Sequence, residues 1–520
     1  MKQKITYVSL ESDASMHVSY EAALSGFERN FGHRYPLYIG GKGFEPAGDF
    51  AVRSPVDRDI VIGYFQEAGE NEAHAAIRVA KEAFPAWSGT DPAERIGALR
   101  KAADLLERQL FDLAALITFE AGKTRGEAVA EVGEAVEMIR YYCALYEKNE
   151  HFTLRMQPEA PGGVSRSVMR PHGVWAVISP FNFPLALAAG MASAALLTGN
   201  TVVMKPASAT PLTGIRLYEA FIQGGVPAGA VNLITGPGAP FGEAVTSSPD
   251  VDGIAFTGSR EVGMWLQRAF AVKQPYPKPF IAEMGSKNPC IVTDKADLEK
   301  AVEGVVRSAF GYGGQKCSAT SRVYVHRDVA EAYARALVAR TEELKVGDPR
   351  ERDVSLGPLI SEAAQRTYED AVALALKDGG RVITGGGVCS EGSRARGHYV
   401  RPTIVAGLAQ DHPLMRDELF VPLLCLRTFA SLPEAVGLAN ETEFGLTAGI
   451  FSEDEGEVDY FFDHIRFGVC YANRQGGATT GAWPGRQSFG GWKASGSTGR
   501  GAGGPYYLFS YLREQAQTRL

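Results

Sequence analysis

The 520-residue chain has no Cys-x-x-Cys, no His-x-x-x-His pair, and only six scattered cysteines. Such spacing gives a structural or catalytic zinc site no support. Scattered cysteines in a chain this long point to reduced thiols in a cytoplasmic compartment, not to a disulfide framework. No apolar run is long enough to cross a membrane. The opening Met-Lys-Gln-Lys-Ile-Thr is followed by Glu and Asp instead of an apolar core and cleavage site, so no secretory signal is expected. Basic clusters with interleaved aromatics are missing too, and a formal net charge of −7 disfavours a nucleic-acid surface. Internal repeats and low-complexity linkers are absent. What is present is a globular composition, 45% hydrophobic and 22% charged, in a chain long enough for two or three packed units.

Residues 1–50 read as an arm, with a helix around Ser19–Phe31 and then Tyr35-Pro-Leu-Tyr-Ile-Gly. From Glu70 to about Tyr146 a 3.6-residue apolar period predicts long amphipathic helices. His151–Met156 and Val164–Met169 flank a Pro-Glu-Ala-Pro-Gly-Gly turn and read as two strands, an arrangement that needs a partner. Nearly all-apolar strands follow at 173–179, 201–205, 231–235, 253–257 and 280–283, with helical stretches at 184–197, 211–223, 239–247 and 261–271 between them. That alternation predicts a parallel sheet covered on both faces. A second alternating α/β unit begins near Pro289, and the tail from Gly490 is glycine-rich and then aromatic.

Parallel sheets bind ligands beyond the carboxyl ends of their strands. Asn182, Lys205, Thr257-Gly258-Ser259 and Glu283 all fall at or just past such ends, which favours one shared cleft. Gly258-Ser-Arg-Glu-Val-Gly263 follows a strand and opens a helix; it reads as a phosphate site or as a tight turn. Lys205 could face ribose or phosphate, or be a solvated lysine. Glu283 closes an apolar run, where desolvation would raise its pKa and suit it to activating water; a surface carboxylate is the alternative. Asn182 offers amide donors for an oxyanion or a cap for the next helix. Of the cysteines, Cys143, Cys290, Cys425 and Cys470 sit in apolar runs and Cys389 in a polar loop. Cys317 differs, with small polar neighbours, Lys316 beside it and an amphipathic helix ending just before. Those are surroundings for a reactive thiolate, or for an unremarkable loop cysteine.

Taken together, several stretches resemble the aldehyde dehydrogenase superfamily from about Tyr38 to the end of the chain. They are Val177-Ile-Ser-Pro-Phe-Asn-Phe-Pro184, Gly199-Asn-Thr-Val-Val-Met-Lys-Pro206, Phe256-Thr-Gly-Ser259, Ala282-Glu-Met-Gly285 and Gly313-Gly-Gln-Lys-Cys-Ser318. Glu418-Leu-Phe420, Phe444-Gly-Leu-Thr447 and Ser488-Phe-Gly-Gly491 complete the pattern. The resemblance implies an α/β fold with a Rossmann-like NAD(P)-binding domain (1–148 and 172–282, with the N-terminal arm). It also implies an α/β catalytic domain (283–472) and a small β oligomerisation flap (149–171 and 490–520). Within the superfamily the chain looks most like the branch that oxidises L-glutamate γ-semialdehyde, derived from 1-pyrroline-5-carboxylate, to L-glutamate in the second step of proline catabolism.

By position, the resemblance makes Cys317 the nucleophile, Glu283 the base and Asn182 the oxyanion donor. Cofactor contacts would come from Ser179, Pro180, Phe181, Lys205, Ser208, Gly238, Thr257, Gly258, Ser259, Gly285, Glu418 and Phe420. Ser318 and the Gly481–Ala482 backbone would hold the substrate α-carboxylate, and Phe183 and Phe489 would flank its methylenes, although core packing would also account for both rings. It further implies a homo-oligomer built from dimers, to which the composition and spacing above add the expectation of a cytoplasmic protein with no metal, nucleic-acid or membrane partner. Ser286 replaces the second glycine usual after Glu283, Val421 replaces a glycine in Glu-x-Phe-Gly-Pro, and Gln475-Gly-Gly-Ala-Thr is a small insertion before the anchor. Ser208 stands where many NAD-preferring relatives carry glutamate, so NAD is expected and NADP stays open. Rival readings are another semialdehyde such as succinate semialdehyde, a coenzyme-A-acylating enzyme, or a catalytically silent structural or binding homologue.

Overall fold

The computed structural model describes residues 14–28, 31–46, 48–476 and 483–520. Two seven-stranded sheets organise it. In the first the spatial order is Phe280–Glu283, Val251–Thr257, Val174–Ile178, Thr201–Lys205, Val231–Leu233, Leu37–Ile39 and Lys42–Phe44. Its first five strands are parallel and the last two antiparallel. These strands are apolar on both faces because both faces are covered. Trp175 and Val177 pack into one core with the helices Ala186–Leu197 and Pro211–Gly224. Val174 and Ala176 point the other way, into a core shared with the helices Glu70–Gly89, Gly238–Ser247 and Arg260–Lys273.

Strand order reverses at Val174–Ile178, whose neighbours are the next strand in sequence on one side and Val251–Thr257 on the other. A crevice opens beyond the strand ends at such a point. The chain then passes from Glu283, last residue of the first sheet, to Asn288, first residue of a strand in the second. That second sheet runs Arg381–Thr384, Thr403–Ala406, Leu423–Phe429, Thr320–His326, Asn288–Val292, Thr447–Phe451 and Val469–Ala472, and all pairs but the first are parallel.

Thr153–Met156 and Val164–Pro171 find their partner at the far end of the chain. Leu512–Arg519 pairs antiparallel with Val164–Pro171 over eight residues. The turn before it is anchored by Tyr511 against Trp175 and Tyr507 against Tyr142. Leu154 and Met156 are left exposed on this three-stranded sheet. The helix expected at 19–31 lies earlier, at Ala14–Glu28. Among the described residues no helix is long and apolar enough to cross a membrane, and no three His, Cys, Asp or Glu side chains are grouped to hold a metal ion.

Close helix contacts depend on small residues. At Gly224 a Cβ would lie 2.6 Å from the Ala98 carbonyl oxygen and 2.9 Å from the Ala102 nitrogen, both backbone atoms that cannot swing away. Gly224→Val should therefore lower the thermal unfolding midpoint, at a cost of about 1–3 kcal/mol for overpacking; an unchanged midpoint in calorimetry would contradict that packing.

Candidate active site

The residues singled out at strand ends converge through the backbone. Ser179 N–H donates to the Lys205 carbonyl at 3.1 Å and Gly258 N–H to the Glu283 carbonyl at 3.1 Å, which holds neighbouring strand ends together. Asn182 is buried, and its Nδ2 donates to the Gln315 carbonyl at 3.0 Å. The amide thus lies on the loop that carries Cys317. It does not cap the helix Ala186–Leu197, which has no side-chain cap at its start. Glu131 satisfies that helix end instead, with Oε1 accepting from Leu185 N–H at 2.9 Å and Ala186 N–H at 3.3 Å, just after Asn182 and Phe183.

Three consecutive left-handed residues, Tyr312, Gly313 and Gly314, turn the chain from the helix Leu298–Phe310 into that loop. Gly314 is required by contact as well as by its dihedral angle, since a Cβ would lie 2.6 Å from the Val421 carbonyl. Tyr312 accepts its uncommon backbone while its hydroxyl donates to the Ala121 carbonyl at 2.6 Å. Gln315 pins the turn with Nε2 to the Tyr312 and Pro358 carbonyls and Oε1 to Ile360 N–H.

Cys317 is partly covered as a residue, but its thiol lies in dry surroundings that push it up to about 12. Burial is the main cause, and the neighbouring Glu418 and Glu283 carboxylates add to it. Lys316 does not offset this as the sequence implied. Its ammonium turns away to the Glu127 carboxylate, 2.9 Å from Oε1, and both are largely buried. The cofactor-free thiol is therefore protonated at neutral pH.

Glu283 is no surface carboxylate. Burial holds its pKa well above the usual carboxylate range, relieved in part by the Gly491 N–H that donates to Oε2 at 2.9 Å. The 491–497 segment is sewn along the edge strand: Met284 N–H donates to the Ser495 carbonyl at 2.9 Å, and Ser497 Oγ accepts from Ala282 N–H at 2.8 Å. Phe489, half-buried two residues before Gly491, pairs with Ala502 through both backbone hydrogen bonds. Gly481 and Ala482 lie outside the described residues.

A second set lies towards the first sheet. Lys205 is buried, its Nζ bonded only to the Pro206 carbonyl at 3.2 Å among the interactions of that atom given by the structure, and desolvation lowers it to about 8. It is not a solvated lysine. Ser208 Oγ donates to the Gly236 carbonyl at 2.8 Å. Ser259 caps the helix Arg260–Lys273 through Val262 N–H at 3.4 Å, and Thr257 Oγ1 lies 3.6 Å from Met191 Sδ. Glu418 comes from the second sheet's side and accepts from Ser286 N–H at 2.7 Å; burial raises it to about 7. Gly285 permits that approach, since a Cβ there would sit 2.1 Å from Glu418 Oε2. Phe420, also left-handed, meets Phe181 edge-on at 5.9 Å. Ser259 and Glu418 border one cleft of ≈ 930 Å³, together with Arg260, Trp265 and Phe444. Gly238 opens the helix Gly238–Ser247.

The sequence pattern of the aldehyde dehydrogenase family matches residues 44–516. The chain belongs to that family. A 1-pyrroline-5-carboxylate dehydrogenase of Geobacillus sp. is 37% identical over 503 residues, 96% of this chain and 95% of that relative. A Thermus 1-pyrroline-5-carboxylate dehydrogenase solved with bound NAD superposes with a TM-score of 0.93 at 32% identity, covering 98% of this chain and 97% of that one. Proline utilization A from Bdellovibrio bacteriovorus superposes with a TM-score of 0.92 at 33% identity over 96% of this chain. This aldehyde dehydrogenase spans 51% of that longer protein, about half its length.

One buried pair in this family member has no motif to announce it. Lys123 Nζ lies 2.6 Å from Glu131 and 3.4 Å from the centroid of the Phe183 ring. Phe183 is half-buried beneath that ammonium and Ser318 is buried beside Cys317. The one signal in the sequence is a carboxylate inside the apolar Ala-Val-Ala-Glu-Val run, a position that only a buried partner makes tolerable.

Since the thiol is raised to about 12, iodoacetamide labelling of Cys317 in the cofactor-free protein should accelerate about tenfold per pH unit above neutrality. A plateau near neutral pH would show an ionised thiol instead.

Proposed function

We propose that the chain oxidises L-glutamate γ-semialdehyde, in equilibrium with 1-pyrroline-5-carboxylate, to L-glutamate with NAD as the preferred cofactor. The observation that carries this reading is that the Glu283 and Glu418 carboxylates act on the buried Cys317 thiol while Asn182 bonds the Gln315 carbonyl on the same loop, and that Glu418 also borders a cleft with Ser259. Nearly full-length similarity to relatives of that activity supports the substrate.

The residues present fit the dinucleotide. A buried, lightly bonded ammonium at Lys205, the Gly285 notch filled by the Glu418 carboxylate, and the Phe181–Phe420 pair make a cradle for ribose, phosphate and a flat ring. Ser179, Pro180, Gly238 and the Thr257-Gly258-Ser259 turn line its first-sheet side in this reading. When bound, the nucleotide supplies the acceptor for a hydride. Residues 1–148 and 172–282 form the domain that binds it, and 283–472 the catalytic domain.

Cys317 passes its proton to the nearby Glu283 carboxylate, which returns it to solvent, and the sulfur adds to the aldehyde carbon, giving a thiohemiacetal oxyanion. Asn182 uses one amide hydrogen on Gln315 and turns the other, with the Cys317 N–H, to that oxygen. After hydride loss the acyl group is a Cys317 thioester. Glu283, whose basicity burial raises, takes a proton from water, which then cleaves the thioester and frees the thiol. Ser318 and the 481–482 backbone hold the α-carboxylate, and Phe183 and Phe489 exclude water around the methylenes. The sheet formed by 149–171 and the tail within 490–520 presents Leu154 and Met156 to a second copy of the chain, in a homo-oligomer built from dimers. Six free thiols fit a reducing, cytoplasmic compartment.

Nucleotide reduction with 1-pyrroline-5-carboxylate should exceed that with succinate semialdehyde and other aldehydes lacking the amino-acid end; equal rates across the panel would remove the anchor from the reading. Cys317→Ala should abolish turnover yet bind NAD, and retained turnover would rule out that nucleophile. With Glu283 as base, hydrolysis requires the carboxylate, so the rate should climb with pH along a limb well above 4.5; Glu283→Gln should be slower and lose that limb. Serine at 208 places no negative charge near a 2′-phosphate, so NADP should also serve. Ser208→Glu should raise the KM for NADP about tenfold, or about 1.4 kcal/mol, while sparing NAD; equal effects on both would contradict this placement.

A further inference from the structure

Asn288 is a buried side chain whose hydrogen-bonding capacity is filled from four directions. Its Nδ2 donates to the Cys317 carbonyl at 2.7 Å and to the Ala319 carbonyl at 2.8 Å. Its Oδ1 accepts from Thr447 N–H at 2.9 Å and from the Ser286 hydroxyl. Carbonyls only accept and a backbone N–H only donates, so the amide can take one orientation alone. The same short stretch is held at each step. Ser286 N–H donates to Glu418, and the Lys287 carbonyl accepts from Nε and Nη2 of the fully buried Arg322, at 3.1 and 2.7 Å.

The loop around Cys317 has no regular structure between the Gly311–Gly314 turn and the strand that starts at Thr320. It is held before the cysteine by Asn182 on Gln315 and after it by a 3.3 Å bond from Thr447 Oγ1 to the Ser318 carbonyl. Among the side-chain hydrogen bonds of the described residues, only the Asn288 amide reaches the cysteine's own carbonyl and the one two residues on. We infer that Asn288, oriented by its two carbonyl acceptors and the Thr447 N–H and further braced by the Ser286 hydroxyl, is a positioning residue that sets the Cys317 peptide plane and so aims the thiol at the space shared by Asn182 and Glu283. Serine at 286 stands where the resemblance to relatives places glycine, which has no hydroxyl to fill the second site on Oδ1. In this chain the hydroxyl joins the residue that meets Glu418 to the residue that holds the nucleophile's backbone. The inference rests on Cys317 being the nucleophile.

The test compares full-length wild type, Ser286→Gly, Ser286→Thr, Asn288→Ala and Cys317→Ala. The readouts are kcat, KM for 1-pyrroline-5-carboxylate, the NAD dissociation constant, and the rate of Cys317 labelling by iodoacetamide followed by peptide mapping. Ser286→Gly retains every backbone bond, so NAD affinity and KM should hold. Its kcat should fall about three- to tenfold, the equivalent of one neutral hydrogen bond, and its labelling rate should shift by a similar factor. Ser286→Thr keeps the hydroxyl and should restore both. Asn288→Ala leaves two buried carbonyls without their donor and should lose more than Ser286→Gly in both readouts. Wild-type kcat and labelling in Ser286→Gly would overturn the inference, as would a fall in kcat with labelling of the folded protein unchanged. An active Cys317→Ala would instead remove the nucleophile reading itself; an inactive one beside an unaltered Ser286→Gly removes only the positioning.

Discussion

Dehydration of three acids in one crevice is the constraint on which the rest depends. The Cys317 thiol and the Glu283 and Glu418 carboxylates all sit where burial favours their neutral forms, and the two carboxylates raise the thiol further. A pKa displaced by one unit corresponds to about 1.4 kcal/mol withheld from the charged form. The protein compensates in part with backbone donors, Gly491 N–H for Glu283 and Ser286 N–H for Glu418, while the neighbouring Lys316 ammonium goes to Glu127. That leaves every group poorly solvated in its ionised state. A charge that water would have screened then acts at full strength on its neighbours.

The seam between the two sheets explains how so few donors suffice. The chain leaves one sheet at Glu283 and enters the other at Asn288, so Glu283, Gly285 and Asn288 lie on a crossing between the two sheets. Gly285 lets Glu418 approach this crossing from the second sheet, and the 491–497 segment closes the outer edge. Parallel strands aim their carboxyl ends at the same opening. Asn182, Lys205, Thr257 and Glu283 therefore arrive from four different strands without any strand needing to bend.

Much of this was readable from one dimension. Thr201–Lys205 and Phe280–Glu283 are strands with the bounds that their apolar runs imply, because a strand buried on both faces has no polar alternation to blur its ends. Aldehyde dehydrogenase motifs name the groups that meet, and the order of those motifs places them. Less visible was anything held by a partner distant in sequence. Lys316 looks like a charge for Cys317 until Glu127, 189 residues away, is seen to bind it. Asn182 reads equally as helix cap or oxyanion donor until Glu131 occupies the cap and Gln315 takes the amide.

By itself the sequence determined the alternation of strand and helix and the apolar runs that must be buried, since these follow from local pattern; its motifs single out Cys317, Glu283 and Asn182 as candidates. Only the tertiary structure decided which way Lys316 points, that the tail from Leu512 to Arg519 completes the flap around Val164–Pro171, and that Asn288 grips the Cys317 peptide. The physical reason is that hydrogen bonds and ion pairs depend on direction and distance across the folded chain, whereas hydrophobic periodicity is written into neighbours along it.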